Sequence, residues 1–213
     1  MKQRQTIYHL IVDKSGSMSD CIENTLNGFN EQVNRIQKME LEFPDEDISI
    51  GLSTFNDEVK HHYFQSPPLK VQKLTTETYR PGGNTALLDA IGVTVKRIEK
   101  EIALANKKGI DATAVVVIIT DGYENASTLF NLATIRSTIS KLEESGKWTF
   151  SFIGATLDAV DIAEQMSIKK ENSFSFKKSN MKKGVWDKLG DSMNTYFNNK
   201  SRGTKSDNFF DNN

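Results

Sequence analysis

The sequence has 213 residues, of which 37% are hydrophobic and 26% charged, and its formal net charge is −1. This composition excludes a disordered or collagen-like chain, and the near balance of charge removes the general positive field that draws proteins to nucleic acid. No apolar run approaches the ~20 residues that a membrane-spanning helix needs.

The cysteine content and the amino-terminal residues bear on the cellular location. Cys21 is the single cysteine, which excludes an internal disulfide and every zinc motif built from several cysteines. The first apolar run, residues 7–12, ends at Asp13 and is shorter than the apolar region of a secretory signal peptide. We therefore expect a cytoplasmic protein without a membrane anchor.

Short apolar runs predict buried strands over residues 7–12, 48–52, 114–119 and 150–153. Runs without a polar face are typical of parallel strands that helices cover on both sides. Asn56-Asp57 is a turn-prone pair, so the strand over residues 59–64 should follow it as an antiparallel edge strand. Residues 174–176 are a candidate for the last edge strand.

Apolar residues at helical spacing predict helices between these strands. The stripes cover residues 22–36, 88–102, 130–142, 158–166 and 186–196. Strands that alternate with helices predict an α/β fold in three layers, with a mostly parallel central sheet, one antiparallel edge strand and helices on both faces. We expect one domain over residues 1–198 and a polar, flexible tail over residues 199–213.

Oxygen-bearing side chains follow two of the predicted strands and precede one helix. Asp121 follows the strand over residues 114–119, Thr85 precedes the second helix, and the first strand is followed by Asp13, Ser15 and Ser17. Ligands of open α/β sheets bind beyond the carboxyl ends of the strands, so these side chains should meet there. Two carboxylates and three hydroxyls suit a hard dication such as Mg²⁺ and disfavour zinc, copper and iron. The carboxylates balance the charge of the ion, which then stays attractive to a further anion.

The same residues carry a resemblance to a known family. Asp13-Lys14-Ser15-Gly16-Ser17, with Thr85 and Asp121, resembles the metal-ion-dependent adhesion site (MIDAS) of von Willebrand factor A (vWA) domains. The resemblance covers residues 5–198 and implies the Rossmann-like vWA fold. It also implies that Ser15, Ser17 and Thr85 contact the ion directly, while Asp13 and Asp121 act through waters. The compact form resembles stand-alone bacterial cytoplasmic members of the family, including those associated with tellurite resistance.

The resemblance implies a protein-binding module and no catalysis. Its Mg²⁺, or Mn²⁺ or Ca²⁺ in its place, would coordinate an acidic side chain of a protein partner. An alternative is a Mg²⁺-dependent phosphatase or hydrolase that uses Asp13 as its nucleophile. Two features speak against that alternative: Ser15 stands where such a phosphatase would carry a second carboxylate, and the sequence has no phosphate-binding loop of the Gly-x-x-x-x-Gly-Lys-[Ser/Thr] type.

A third hypothesis is an accessory subunit of an ATPase or stress-response complex. The lysine-rich stretch over residues 169–183 is interpreted as a solvated surface, because no aromatic nucleic-acid motif accompanies it. We therefore expect no nucleic-acid partner. The sequence gives no indication of the oligomeric state.

Overall fold

The structure is a computed structural model that describes residues 4–204 and 208–210. Its strands are Arg4–Asp13 (β1), Glu46–Phe55 (β2), Val59–Ser66 (β3), Asp111–Thr120 (β4), Trp148–Gly154 (β5) and Ser173–Ser175 (β6). Its helices are Ile22–Glu42 (α1), Leu87–Lys107 (α2), Leu132–Glu144 (α3), Ala159–Gln165 (α4) and Lys188–Ser201 (α5). Among the described residues, no helix combines the length and the apolar character needed to cross a bilayer.

The six strands form one sheet in the order β3-β2-β1-β4-β5-β6. All neighbouring strands are parallel except β2 and β3, which are antiparallel. β1 lies in the interior of the sheet and pairs with both β2 and β4 over nearly its whole length. This position explains why its residues are apolar without alternation: both of its faces are buried.

The hairpin between β2 and β3 confirms the predicted antiparallel edge. The backbone N–H of Asn56 donates to the Glu58 carbonyl at 3.1 Å, and the Asn56 side chain accepts from the N–H of Glu58 at 3.2 Å. An asparagine that bonds its own backbone two residues further on is a common turn device. The turn reverses the chain, and β3 therefore runs against its neighbour.

Helices cover both faces of the sheet and produce two separate cores. One core joins Tyr8 and Leu10 of β1 to Phe29 of α1 and Met193 of α5. The other joins Ile7 and its face of the sheet to α2, α3 and α4. The three-layer α/β fold with a mostly parallel sheet is thus confirmed. Full burial of each large aliphatic side chain contributes about 1.5–3 kcal/mol, so the two cores supply most of the stabilising free energy.

Close packing of α1 on the helical segment Lys182–Asp187, which leads into α5, requires a glycine. A Cβ at Gly28 would lie 2.1 Å from ring atoms of Trp186, whose side chain is fully buried. This approach holds the carboxyl-terminal helix tightly on the first core.

The carboxyl-terminal residues pack more extensively than their polar sequence suggests. α5 extends to Ser201, and Phe209 and Phe210 are both buried. The ring of Phe210 lies 4.8 Å from that of Phe174, and the N–H of Phe209 donates to the side chain of Asn172 at 2.7 Å. The domain boundary at residue 198 and the flexible tail stay predictions, and residues 205–207 and 211–213 lie outside the described residues.

Candidate metal centre

Three stretches of chain meet at the carboxyl edge of the sheet. Asp13 is the last residue of β1, and Asp121 comes directly after β4. Because these strands are parallel neighbours, with Val12 opposite Ile119, the two aspartates leave the sheet side by side. The loop before α2 is attached to the loop after β1 by two backbone hydrogen bonds, from Gly82 N to the Lys14 carbonyl and from Gly16 N to the Gly83 carbonyl.

The five residues predicted from the sequence lie together at this edge. The Ser17 hydroxyl donates to Oδ1 of Asp121 at 2.6 Å and lies 3.1 Å from the hydroxyl of Ser15. The Cβ that Gly122 lacks would lie 3.1 Å from Thr85 Oγ1, 3.5 Å from Ser17 Oγ and 3.8 Å from Asp13 Oδ2. Oxygens from two of the stretches therefore face one small cradle, which the absence of a side chain at Gly122 leaves open. Asp121, from the third stretch, adjoins the cradle through its hydrogen bond from Ser17.

The carboxylate of Asp13 is completely buried and held at both oxygens. The N–H of Ser15 donates to Oδ1 at 2.6 Å, and the hydroxyl of Thr120 donates to Oδ2 at 2.6 Å. Burial raises the pKa of Asp13, the hydrogen bonds from Thr120 and Ser15 oppose the rise, and the negative charge of Asp121 adds to it. A cation beside this carboxylate would favour its charged form.

Two residues that orient Asp13 were not among the sequence candidates. Thr120 holds its carboxylate, and the buried Tyr79 donates its hydroxyl to the Asp13 carbonyl at 2.6 Å. Thr120 lies directly before Asp121, so its place in the chain was a usable signal. Tyr79 belongs to an irregular loop without periodicity, where nothing in the sequence singles it out.

The loop between β4 and α3 is bound tightly to the start of α2. The carboxylate of Glu124 accepts hydrogen bonds from the N–H groups of Leu88 at 2.9 Å, Ala126 at 3.0 Å and Ser127 at 2.7 Å. The side chain of Asn125 accepts from the N–H of Thr85 at 2.9 Å. Glu124 and Asn125 therefore position the backbone around the site.

A second carboxylate holds the far half of the same loop. Asp89 of α2 is buried and accepts from the N–H groups of Thr128, Leu129 and Phe130, at 2.8 to 2.9 Å. Charge-assisted bonds of this kind are about twice as strong as neutral ones, so the loop is well ordered around the site.

The outer rim of the site carries an exposed aromatic residue and a shallow apolar depression. Tyr123 is 57% exposed, and its hydroxyl donates to Asp158 at 3.1 Å. The depression beside it has a volume of about 220 Å³ and is lined mainly by apolar side chains, among them Leu88, Leu132 and Met166. Exposed aromatic and apolar groups next to a polar centre are typical of contact surfaces.

A lysine from the carboxyl-terminal part of the chain reaches the same centre. The ammonium of Lys178 lies 2.5 Å from Oδ2 of Asp121 and donates to the Ser17 carbonyl at 2.8 Å. Burial opposes its charge, but the hydrogen bond and the negative charge of Asp121 raise the pKa of Lys178. The lysine-rich sequence predicts a solvated surface here, and this prediction is wrong for the ammonium of Lys178, which pairs with a buried carboxylate.

The donor set is compatible with a hard divalent cation. It consists of two carboxylates and three hydroxyls, with no sulfur or imidazole, from Asp13, Ser15, Ser17, Thr85 and Asp121. All-oxygen sets of this kind bind Mg²⁺, Mn²⁺ or Ca²⁺ in proteins. Within residues 4–204 and 208–210, no group of three or more His, Cys, Asp or Glu side chains is arranged to hold a metal ion. A metal at this centre would therefore depend on the hydroxyls as much as on the carboxylates.

Comparisons with known proteins agree with this architecture. A sequence model of the von Willebrand factor type A domain matches residues 9–190. No curated protein matches the sequence.

Solved structures from several organisms share the fold. Proximal thread matrix protein 1 of the mussel byssus has a TM-score of 0.53 and 16% identity, over 86% of this chain and 44% of its own; another structure of it has a zinc-occupied MIDAS motif. Manganese-loaded TRAP of Plasmodium vivax has a TM-score of 0.56 and 15% identity, and the match covers 85% of this chain and 72% of TRAP. The vWF domain of the pili tip protein Mfa5 of Porphyromonas gingivalis has a TM-score of 0.60 and 10% identity, and the match covers 89% of this chain and 95% of that domain. At these identities the likeness concerns the fold, and this chain spans less than half of the mussel protein.

Proposed function

The chain belongs to the von Willebrand factor type A family, and from this premise we propose that it is a divalent-metal-dependent protein-binding module. The metal is Mg²⁺, with Mn²⁺ or Ca²⁺ as alternatives, and its ligands are Asp13, Ser15, Ser17, Thr85 and Asp121. The observation that carries the proposal is the meeting of three remote stretches of chain beside Gly122, where oxygens of Asp13, Ser17 and Thr85 line the cradle and Ser17 donates to Asp121.

The charges of the donor set explain what such a centre would recognise. Two carboxylates neutralise a dication, and hydroxyl ligands add no further negative charge, so the bound metal supplies an electrophilic position for one more anion. We propose that a protein partner provides this anion as the carboxylate of an acidic side chain. Tyr123 and the apolar depression beside it would contact the residues around that side chain.

The residues of the chain itself would hold the centre in shape for this task. Thr120 and the N–H of Ser15 fix the Asp13 carboxylate, and Asn125 fixes the backbone of Thr85. A site that is ordered before binding loses little conformational entropy when the partner arrives. The partner would then gain affinity from the carboxylate–metal contact without reorganising the loops.

We assign no enzymatic step to this centre. Both oxygens of Asp13 already accept hydrogen bonds from the protein, and Ser15 stands at the position where a phosphatase of this kind would need its second carboxylate. Membership of an ATPase or stress-response complex, and a cytoplasmic location, stay predictions. Co-purification from the native cell would test the first, and cell fractionation would test the second.

The proposal is tested by metal binding and then by partner capture. Calorimetric titration with Mg²⁺, Mn²⁺ and Ca²⁺ should show binding at one site, and the variants Asp13→Ala, Thr85→Ala and Asp121→Ala should weaken it by roughly tenfold or more. The matched control is Asp20→Ala, which removes a nearby exposed carboxylate outside the donor set.

Partner capture from the native cell extract should require the metal. Proteins retained in Mg²⁺ should be lost in EDTA and in the Asp121→Ala variant, but not in Asp20→Ala. Absence of metal binding, or a partner that binds equally well in EDTA, would refute the proposed function.

A further inference from the structure

Lys178 is a cationic side chain that contacts the proposed metal centre. It begins the short turn Lys178–Asn180, between β6 and the helical segment that leads into α5. Its ammonium forms an ion pair with Asp121 and donates to the Ser17 carbonyl. Both acceptors belong to residues proposed as metal ligands, so the lysine stands in the electrostatic position of a cation.

The ion pair solves a problem that the metal-free centre would otherwise have. The side chain of Asp121 is fully buried, and Asp13 is buried close to it. Buried carboxylates without a compensating charge are strongly unfavourable. The positive charge of Lys178 partly neutralises the pair when no metal is present.

A divalent ion and the ammonium cannot both stay close to Asp121 without repelling each other. The repulsion between a charge of +2 and a charge of +1 is twice that between two unit charges at the same distance, and burial weakens its screening by water. Resting on the proposed metal site, we propose that Lys178 is an internal competitor of the metal: it occupies Asp121 in the metal-free protein and moves away from it when the metal binds.

The surroundings of Lys178 allow this movement. Its side chain is 34% exposed, and its neighbours Lys177 and Ser179 are exposed. Phe176 and Met181, on either side, are buried and anchor the segment to the first core. The lysine can therefore turn toward solvent without a change in the core. The cost of releasing the ion pair would lower the metal affinity of the protein.

The test compares metal affinity in variants of Lys178. In Lys178→Gln, calorimetric titration should show Mg²⁺ binding roughly tenfold tighter than in the unmodified protein, since a charge-assisted bond no longer has to be broken. Lys178→Arg keeps the charge and should retain the lower affinity. Lys177→Gln removes the exposed neighbouring charge and is the matched control.

Thermal stability and NMR provide two tests that do not measure the affinity for the metal. In EDTA, Lys178→Gln should unfold at a lower temperature than Lys177→Gln, because its buried carboxylates have lost their counter-charge. In the unmodified protein, the Cε resonance of Lys178, assigned with the Lys178→Arg variant, should shift on addition of Mg²⁺ while that of Lys177 stays in place.

The outcomes separate this inference from the proposed function. If the unmodified protein binds Mg²⁺ but Lys178→Gln binds it with equal or lower affinity, or the Lys178 resonance does not respond, the competitor role is overturned and the metal site stands. If neither the unmodified protein nor any variant binds a divalent cation, the proposed function fails and the inference fails with it.

Discussion

The hydroxyl of Thr120 donates a 2.6 Å hydrogen bond to Oδ2 of Asp13, although the two residues are 107 positions apart in the chain. Thr120 ends β4 and Asp13 ends β1, and these strands are parallel neighbours. The orientation of the first carboxylate of the proposed metal site is therefore set by the adjacent strand, in addition to its own loop.

Replacing this hydroxyl by a methyl group should weaken both the fold and metal binding. Thr120→Val preserves shape but leaves a buried carboxylate oxygen without its donor, which should lower the free energy of unfolding by about 1–3 kcal/mol. Urea unfolding in EDTA measures this loss, and calorimetry should show weaker Mg²⁺ binding. The control is Thr149→Val, a matched change in β5; equal losses in the two variants would contradict the assignment.

Gly122→Ala should abolish or strongly weaken metal binding while the fold persists. The new methyl group would enter the cradle at 3.1 Å from Thr85 Oγ1 and 3.5 Å from Ser17 Oγ. We expect the Mg²⁺ affinity to fall by roughly tenfold or more, since the ligands can no longer close on one point. Gly82→Ala is the control, because its Cβ would meet no atom within 4 Å. Unchanged Mg²⁺ affinity in Gly122→Ala would show that the cradle is not the metal position.

Glu124→Gln should destabilise the protein by about 1–3 kcal/mol, because an amide replaces one acceptor oxygen by a donor that faces backbone N–H groups. The loop that carries Asp121 would loosen from the start of α2, where Leu88 N now donates to Glu124. Thermal and urea unfolding measure the loss. Glu144→Gln changes an exposed glutamate at the end of α3 and should stay within about 0.5 kcal/mol of the unmodified protein.

The stability of the metal-free protein should fall as the pH drops below about 6.5, the usual pKa of histidine. His9 is fully buried, and burial, helped by the charges of His61 and Arg97, lowers its pKa to about 3. The folded protein thus keeps His9 neutral while the unfolded chain takes up a proton. The contribution of neutral His9 to the free energy of unfolding is complete above pH ~6.5. It is lost as the pH falls toward the pKa that His9 has in the folded protein.

Between about pH 7 and about pH 5.5, the protonation of His9 in the unfolded chain should lower the free energy of unfolding by about 1.2 kcal/mol. In His9→Gln, the difference between urea unfolding free energies at these two pH values should shrink by that amount, whatever the change in absolute stability. An equal pH dependence in both proteins would mean that His9 is not the group responsible.

The architecture could be predicted from the sequence because its signals are local. The apolar run in β1 indicates that both faces of this strand are buried. Asn56 indicates a turn because its side chain accepts a hydrogen bond from the backbone two residues further on. The five proposed ligands could be predicted to meet because they all follow strands or precede a helix at one edge of a parallel sheet. The predicted ends of the helices were less accurate. The side chain of Asn131 accepts a hydrogen bond from the Thr134 N–H and caps α3, which begins at Leu132. Phe130, which the apolar spacing assigned to this helix, therefore lies outside it.

The residues that were missed act through contacts between distant parts of the chain. Tyr79 and Lys178 reach the site from an irregular loop and from a lysine-rich stretch, and neither segment has a periodicity that points to it. Phe209 and Phe210 lie among polar residues, and their burial depends on Phe174 and Asn172. Residue type and spacing describe local structure and give no information about such pairings.

The wide separation of Asp13, Thr85 and Asp121 along the chain has a consequence for survival in the cell. An unfolded molecule has no cluster of oxygens with which to retain an ion, so an ion that binds here selects the native conformation. Each tenfold rise in free metal above the dissociation constant adds about 1.4 kcal/mol to that preference. The concentration of free divalent metal would then influence how often the chain unfolds and becomes accessible to proteases, and thereby the lifetime of the protein.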